Sequence, residues 1–254
     1  MERWAGRIAL ITGASSGIGY EVVKSLVSHG MKVIGCARNI EPIQKLAADM
    51  AQEKGSITAI RCDLTKEDDI KGMFDKIRTT SNLGGVDVIV NSAGMGLEAP
   101  LLSGETSQWR EMLEVNILGL LACTREAVKL MEEKKVDDGH IFLLNSMSGH
   151  RVVPNKNIHF YGATKFMITA LTEGIRNELR EKKTRTRVTA LSPAVVETDF
   201  FARMYHDKER SQKFLSSMKF LEAKDVVDAL VYALSAPPHV QVHDILVRGT
   251  EQIS

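Results

Sequence analysis

Short apolar runs alternate along this chain with longer stretches whose apolar residues recur every three or four positions. The runs at 8–11, 33–37, 57–62, 86–90, 141–144, 188–191 and 245–247 predict strands. Most are continuously apolar, as strands covered on both faces are. The stretches 18–29, 43–53, 67–79, 106–133, 163–181 and 223–236 predict amphipathic helices between them. This alternation, running along most of the 254 residues, predicts an α/β chain with a doubly wound parallel sheet of about seven strands and helices on both faces. No repeat, low-complexity tract or Pro/Gly linker interrupts it, so residues 1–254 are expected to form a single domain. Only the stretch 198–221 breaks the rhythm. It is helical in composition and follows a strand without leading directly into another.

Composition narrows the classes. Hydrophobic residues make up 44% of the chain, against disorder, and a net charge of +1 creates no global attraction to nucleic acid or anionic lipid. Cys36, Cys62 and Cys123 are far apart and form no CxxC pair, so they read as reduced core thiols rather than disulfides or zinc ligands. The seven histidines lack a ligand spacing, and no metal site is expected. His150 and His159 flank the candidate site in sequence but read as loop or surface residues. The basic cluster at 176–187, interleaved with Glu178 and Glu181, reads as a solvated helix end rather than a nucleic-acid surface. The N-terminus runs straight into an apolar strand pattern without a signal peptide. No apolar run reaches the roughly 18 residues of a membrane span, so a cytoplasmic protein without integral membrane association is expected.

Chemistry enters at the first turn. The first strand leads into Thr12-Gly13-Ala14-Ser15-Ser16-Gly17-Ile18-Gly19, and a helix pattern follows. Strand, glycine turn and helix form the context of a Rossmann-like dinucleotide site: glycine lets the backbone approach a pyrophosphate, and the helix N-terminus offers free N–H groups. The spacing is GxxxGxG rather than GxGxxG, and a purely structural turn is the competing reading. The second strand ends at Ala37-Arg38-Asn39, where an NAD site usually carries an acid for the ribose 2′-hydroxyl. Arg38 suits a 2′-phosphate instead, and so points to NADP(H); a solvated arginine is the alternative.

Further on, Tyr161-Gly162-Ala163-Thr164-Lys165 places a phenol and an ammonium at i and i+4, on one helix face. A neighbouring cation favours phenolate and is expected to lower the phenol from about 10. Such a group is a general acid/base for carbonyl–alcohol exchange. A YxxxK pair alone is weak; its weight comes from lying one strand after Ser146 and far downstream of the glycine turn.

Taken together the motifs resemble the short-chain dehydrogenase/reductase family in its single-domain form. They are the TGxxxGxG turn, Asp63-Leu64 after the third strand, Asn91-Ser92-Ala93-Gly94, Asn116, a serine closing the fifth strand, YxxxK, and a proline-led loop at Pro193. Within that family the chain is similar to the branch that holds the insect farnesol dehydrogenases and a vertebrate dehydrogenase/reductase. That likeness rests on segments such as Cys123-Thr124-Arg125-Glu126-Ala127, Asn145-Ser146-Met147-Ser148-Gly149-His150 and Val195-Val196-Glu197-Thr198. The resemblance implies that Tyr161 exchanges the substrate proton and that Ser146 hydrogen-bonds the substrate oxygen. It implies that Lys165 holds the nicotinamide ribose and lowers Tyr161, and that Asn116 holds a water joining Lys165 to solvent. It assigns the cofactor to Gly13, Ser15, Ser16, Gly17, Ile18, Gly19, Arg38, Asn39, Asp63, Leu64, Asn91, Ala93, Gly94, Tyr161, Lys165, Pro193, Val196 and Thr198. Ser92 stands where the family usually has asparagine. The serine has a competitor: a spacing of 13 residues before Tyr161 selects Ser148, whereas the spacing to Gly149 selects Ser146, which is preferred.

The stretch 198–221 carries Phe200, Phe201, Met204, Tyr205, Phe214, Leu215, Met218 and Phe220. It is expected to be a lid over an apolar substrate pocket, with ordinary amphipathic packing as the alternative. The expected partner is a lipophilic alcohol or carbonyl, isoprenoid or steroid; the expected assembly is a homodimer or homotetramer. A 3-oxoacyl or small-carbonyl reductase, and a non-catalytic cofactor-binding scaffold, are the competing functions.

Overall fold

The computed structural model describes residues 1–217 and 219–252. Among these residues seven strands lie in one parallel sheet: β1 (Ile8–Thr12), β2 (Lys32–Ala37), β3 (Ser56–Arg61), β4 (Val88–Asn91), β5 (His140–Leu144), β6 (Arg187–Pro193) and β7 (Asp244–Val247). Their order is β3-β2-β1-β4-β5-β6-β7. The sequence places all seven within a few residues of these bounds.

The continuous hydrophobicity of the strands follows from alternation across a doubly covered sheet. Ala9 and Ile11 of β1 face one layer, with α1 (Gly17–Ser28), α2 (Glu41–Asp49) and α9 (Ala223–Ser235). Ile8 and Leu10 face the other, with α3 (Glu67–Thr79), α5 (Leu120–Glu133) and α6 (His159–Glu181). Cys36, Cys62 and Cys123 are buried and free. Burial raises the Cys123 thiol well above its ordinary value, so it stays protonated and unreactive.

The chain starts at β1, works outward to β3, then crosses back to β4 on the other side of β1. That reversal opens a crevice at the carboxyl ends of β1 and β4. The glycine turn and the loop after Asn91 both emerge there.

Two expectations need correction. The stretch 106–133 is not one α-helix. α4 (Thr106–Leu113) passes through a π-helical turn, Glu114–Gly119, into α5. Nor is the basic cluster at 176–187 wholly solvated. Arg176 and Arg187 are buried, donating to the carbonyls of Val188 and of Ala233, Leu234 and Val240. Arg187 holds the last carbonyls of α9, where a cation suits the helix dipole. Among the described residues no helix is long and apolar enough to cross a membrane.

Candidate active site

Glycine shapes the turn after β1 where a side chain could not fit. Gly13 has φ of +68°, and a Cβ there would sit 2.8 Å from Ala93 Cα; one at Gly19 would sit 2.5 Å from Gly13 O. Gly17 opens α1 with φ of +57°, under the methyl of Thr198. Ser16 is the N-cap of α1, yet its hydroxyl makes no capping bond. Ser15 and Ile18 are partly buried, and Ile18 packs on the core. Ala93 N donates to Thr12 Oγ1 at 3.1 Å, tying the loop after β4 to the turn. Asn91 donates to Thr124 Oγ1, but its buried Oδ1 has no protein partner. Gly94 brings bare backbone to the inner end of the crevice, where a Cβ would be 3.8 Å from Lys165 Nζ.

Arg38 and Asn39 stand exposed beyond β2. The Asn39 side chain accepts from Glu41 N at 3.1 Å, which starts α2. Burial pushes the Asp63 carboxyl up, but hydrogen bonds from Thr65, with Arg38 and Lys66 nearby, leave it below its ordinary value. Leu64 lends its carbonyl to the wall against Gly119 of the π turn.

α6 begins at His159, so Tyr161 and Lys165 lie on its first two turns. The structure brings Ser146, Tyr161 and Lys165 together. The Ser146 hydroxyl lies close enough to the Tyr161 phenol to favour its ionised form. It also accepts from Ser148 N at 3.1 Å, which fixes the loop. Gly149 packs this loop on α6: a Cβ there would meet Lys165 O at 2.7 Å. Ser148 lines a cavity of ≈ 570 Å³ with Val152, His159 and Phe166, a lining that does not include Ser146, Tyr161 or Lys165.

Lys165 is buried and donates to Leu144 O at 2.8 Å, with its Nζ 5.7 Å from the Tyr161 ring centre. Burial pushes the ammonium down to about 7. Burial pushes the phenol up to about 12, and the nearby Ser146 hydroxyl opposes this only in part. The expected lowering of Tyr161 by Lys165 is therefore absent in this geometry: desolvation of both groups outweighs a cation at that distance.

Asn116 lies in the π turn, whose extra residue turns it toward the crevice. Its side chain accepts from Met95 N at 2.8 Å and donates to Met95 O and to Thr164 Oγ1. It thereby clamps the loop after β4 to α6. Both amide protons are spent, so the side chain acts here as a fastener.

Pro193 ends β6 paired with Val247, and Val196 is buried and bridged to Leu221. The bonds Glu197 N to Leu221 O and Leu221 N to Val195 O draw the ends of 198–221 together. Between them stand α7 (Phe200–Tyr205) and α8 (Lys208–Leu215). Phe200 meets Tyr161 at 5.6 Å between ring centres, and Phe200 and Met204 both press on Gly96. Phe201 turns the other way, onto Phe214 at 5.0 Å, and Phe214 meets Phe220 at 5.2 Å. Only part of the aromatic set faces the site, and the rest packs the segment's own interior. Met218 lies outside the described residues.

Three further groups escape a linear reading because their partners are distant in the chain. Arg210 makes a bidentate pair with Glu98, which Asn157 also bonds. Arg203 donates to Ser16 Oγ. His150 bonds both Ser192 and Asp244, anchoring the serine loop to β6 and β7. Each is a polar pair across elements, to which neither periodicity nor a local motif responds.

This sheet order, with a glycine turn at the crevice and a serine, tyrosine and lysine facing it, defines an oxidoreductase of the dinucleotide-binding α/β type. The family model described as short chain dehydrogenase matches residues 7–209, and the chain belongs to that family. It is 52% identical over 257 residues to dehydrogenase/reductase SDR family member 11 of Gallus gallus, covering 100% of both chains. To the farnesol dehydrogenase of Aedes aegypti it is 38% identical over 250 residues, covering 98% of each. Among solved structures, the closed form of a serine dehydrogenase complexed with NADP⁺ superposes with a TM-score of 0.86 at 27% identity, covering 96% of each chain.

Proposed function

We propose that this protein is an NADP(H)-dependent oxidoreductase interconverting an alcohol and a carbonyl on a lipophilic substrate, either a farnesol/farnesal-like isoprenoid or a hydroxysteroid/ketosteroid. The observation that carries the proposal is the Ser146–Tyr161–Lys165 set roofed by Phe200 and Met204. The residues fit the cofactor. The cradle at Gly13 and Gly19 admits no Cβ, Asn91 Oδ1 is buried without a protein partner, and Arg38 stands exposed beyond β2. The likeness to an NADP⁺-bound neighbour points the same way.

The residues would divide the work as follows. The turn and the first N–H groups of α1 take the pyrophosphate, and Arg38 takes the 2′-phosphate. Asp63, Leu64, Asn91, Ala93 and Gly94 wall the adenine-to-ribose path, with Pro193, Val196 and Thr198 on the far side. When bound, the nicotinamide supplies or accepts the hydride. Tyr161 gives its proton to the carbonyl oxygen in reduction, or takes the hydroxyl proton in oxidation. Ser146 donates to the same oxygen. Lys165 has donors beyond the one held by Leu144 O, and these suit the ribose hydroxyls. Fixing the ammonium there would favour the phenolate when Tyr161 gives up its proton.

Residues 198–221 act as the lid, on a chain that works as one domain. Exposed Leu118, Phe166 and Met167 suit a homodimer or homotetramer, and the expected location is the cytoplasm. Purified protein tested with NADPH and NADP⁺ against farnesal, farnesol, ketosteroids, retinal and small diketones should turn over the lipophilic members best. Preference for NADH would remove Arg38 from its role. Activity on small diketones alone would favour a small-carbonyl reductase.

A further inference from the structure

We infer that Arg203, on the lid, is a ligand of the cofactor pyrophosphate and makes lid closure depend on the bound dinucleotide; the inference rests on the NADP(H) reading above. Ser16, the N-cap of α1, withholds its hydroxyl from the helix. That hydroxyl instead accepts from both terminal nitrogens of Arg203, each at 3.2 Å. A guanidinium fork matches two oxygens of a phosphate and is poorly used when both arms converge on one hydroxyl. The fork is held one residue from Gly17, where the backbone N–H groups and the positive end of α1 prepare the crevice for a phosphate.

Charge accounting points the same way. Arg203 has no carboxylate partner among the described ion pairs, whereas Arg210 on the same segment is paired bidentately with Glu98. Arg38 stands exposed at the end of β2, and Lys165 is committed to Leu144 O beside Tyr161. Arg203 is thus the described cation hydrogen-bonded to the glycine turn itself.

The lid's shape makes the contact consequential. Its two ends are stitched together at Val195–Leu221 and Glu197–Leu221. Its body touches the rest of the protein at separate points: Thr198 on Gly17, Arg203 on Ser16, Phe200 and Met204 on Gly96, and Arg210 on Glu98. A dianionic pyrophosphate beside Ser16 would strengthen the contact Arg203 already makes there and hold the lid shut over the nicotinamide end.

The test compares Arg203→Gln with wild type and with Arg38→Gln. Dissociation constants for NADPH and NADH are measured by nucleotide fluorescence, and lid closure by limited proteolysis within 198–221. Arg203→Gln should weaken NADPH and NADH alike, by about tenfold, because the pyrophosphate is common to both. Arg38→Gln should weaken NADPH alone. Arg203→Lys should recover part of the affinity as a point charge. NADPH should slow lid cleavage in wild type but not in Arg203→Gln. Arg203 is exposed and lacks an ion pair, so the variant should melt like wild type. Unchanged affinity for both nucleotides, or a loss for NADPH only, would overturn the assignment while leaving the NADP(H) reading intact. Failure of wild type to bind either nucleotide would remove that reading and this inference together.

Discussion

The glycine cradle and the segment 198–221, the proposed lid, meet across one crevice but are built on different principles. The cradle is made of backbone: at Gly13 and Gly19 even one added carbon would strike main-chain atoms, and Thr12 and Asn116 lash the neighbouring loops in place. The lid is made of side chains. Two short helices are joined by His206 in the left-handed region, φ 50°, and held by aromatic contacts and a surface ion pair. On the proposed reading, main-chain geometry would serve a ligand part that never changes, whereas a side-chain roof could be refitted to the substrate. The Glu98–Arg210 pair is exposed at its arginine, so solvent screens it and it holds this face of the segment only weakly.

The largest effect should fall where the two regions converge. Tyr161→Phe keeps the ring that packs on Phe200 but deletes the transferable proton. Turnover should fall by at least about 10²-fold while NADPH affinity holds, measured by steady-state rates and nucleotide titration. Wild-type turnover in that variant would leave the site without its acid.

Next comes the serine loop. Ser146→Ala should cost about 10²-fold in turnover through the lost bond to the reacting oxygen. Ser148→Ala should cost little, since it keeps the backbone N–H that Ser146 Oγ accepts from and removes only a hydroxyl among Val152, His159 and Phe166. The reverse ranking would transfer the role.

Smaller and graded effects should come from the lid. Each buried substrate CH₂ should contribute about 0.8 kcal/mol, roughly fourfold in kcat/KM per carbon until the pocket is full. Phe200→Ala or Met204→Ala should flatten that series and spare small substrates. Phe201→Ala should instead loosen the whole lid, because Phe201 packs on Phe214. A flat series in wild type would end the lipophilic-pocket reading without touching the chemistry.

The smallest effect is on stability against pH in the cofactor-free protein. Lys165 sits at about 7 when folded, below its ordinary 10.5, so the unfolded chain binds more protons between those values. Stability should therefore rise from this group as pH climbs from about 7 to 10.5. Tyr161, raised to about 12, works the opposite way, removing stability between its ordinary 10 and about 12. Lys165→Met should gain most over wild type in Tm near neutrality and progressively less toward pH 10. A constant difference would mean that the ammonium is not desolvated.

The legible and illegible parts divide along the same line as cradle and lid. The seven strands, the glycine turn and the YxxxK helix were readable because each is a local pattern: a run, a fixed spacing, a strand-turn-helix order. The π turn at Glu114–Gly119 was not, since a single inserted residue leaves the helical period almost unchanged. Arg176 and Arg187 looked like solvated charge because the carbonyls that hold them come from other elements. Sequence suggested an apolar lid but could not separate Phe200, which faces Tyr161, from Phe201, one residue on and turned away.

By itself, then, the sequence determined the α/β architecture, the crevice and the strand and helix that carry Ser146, Tyr161 and Lys165 to it, because hydrophobic period and glycine conformation are properties of neighbouring residues. Only the tertiary structure decided that burial outweighs the lysine at Tyr161, that Asn116 spends its amide fastening Met95 to Thr164, and that Arg203 reaches Ser16. Desolvation and long-range hydrogen bonds depend on which distant segments come to lie side by side, and that is set when the sheet closes and the lid folds onto it.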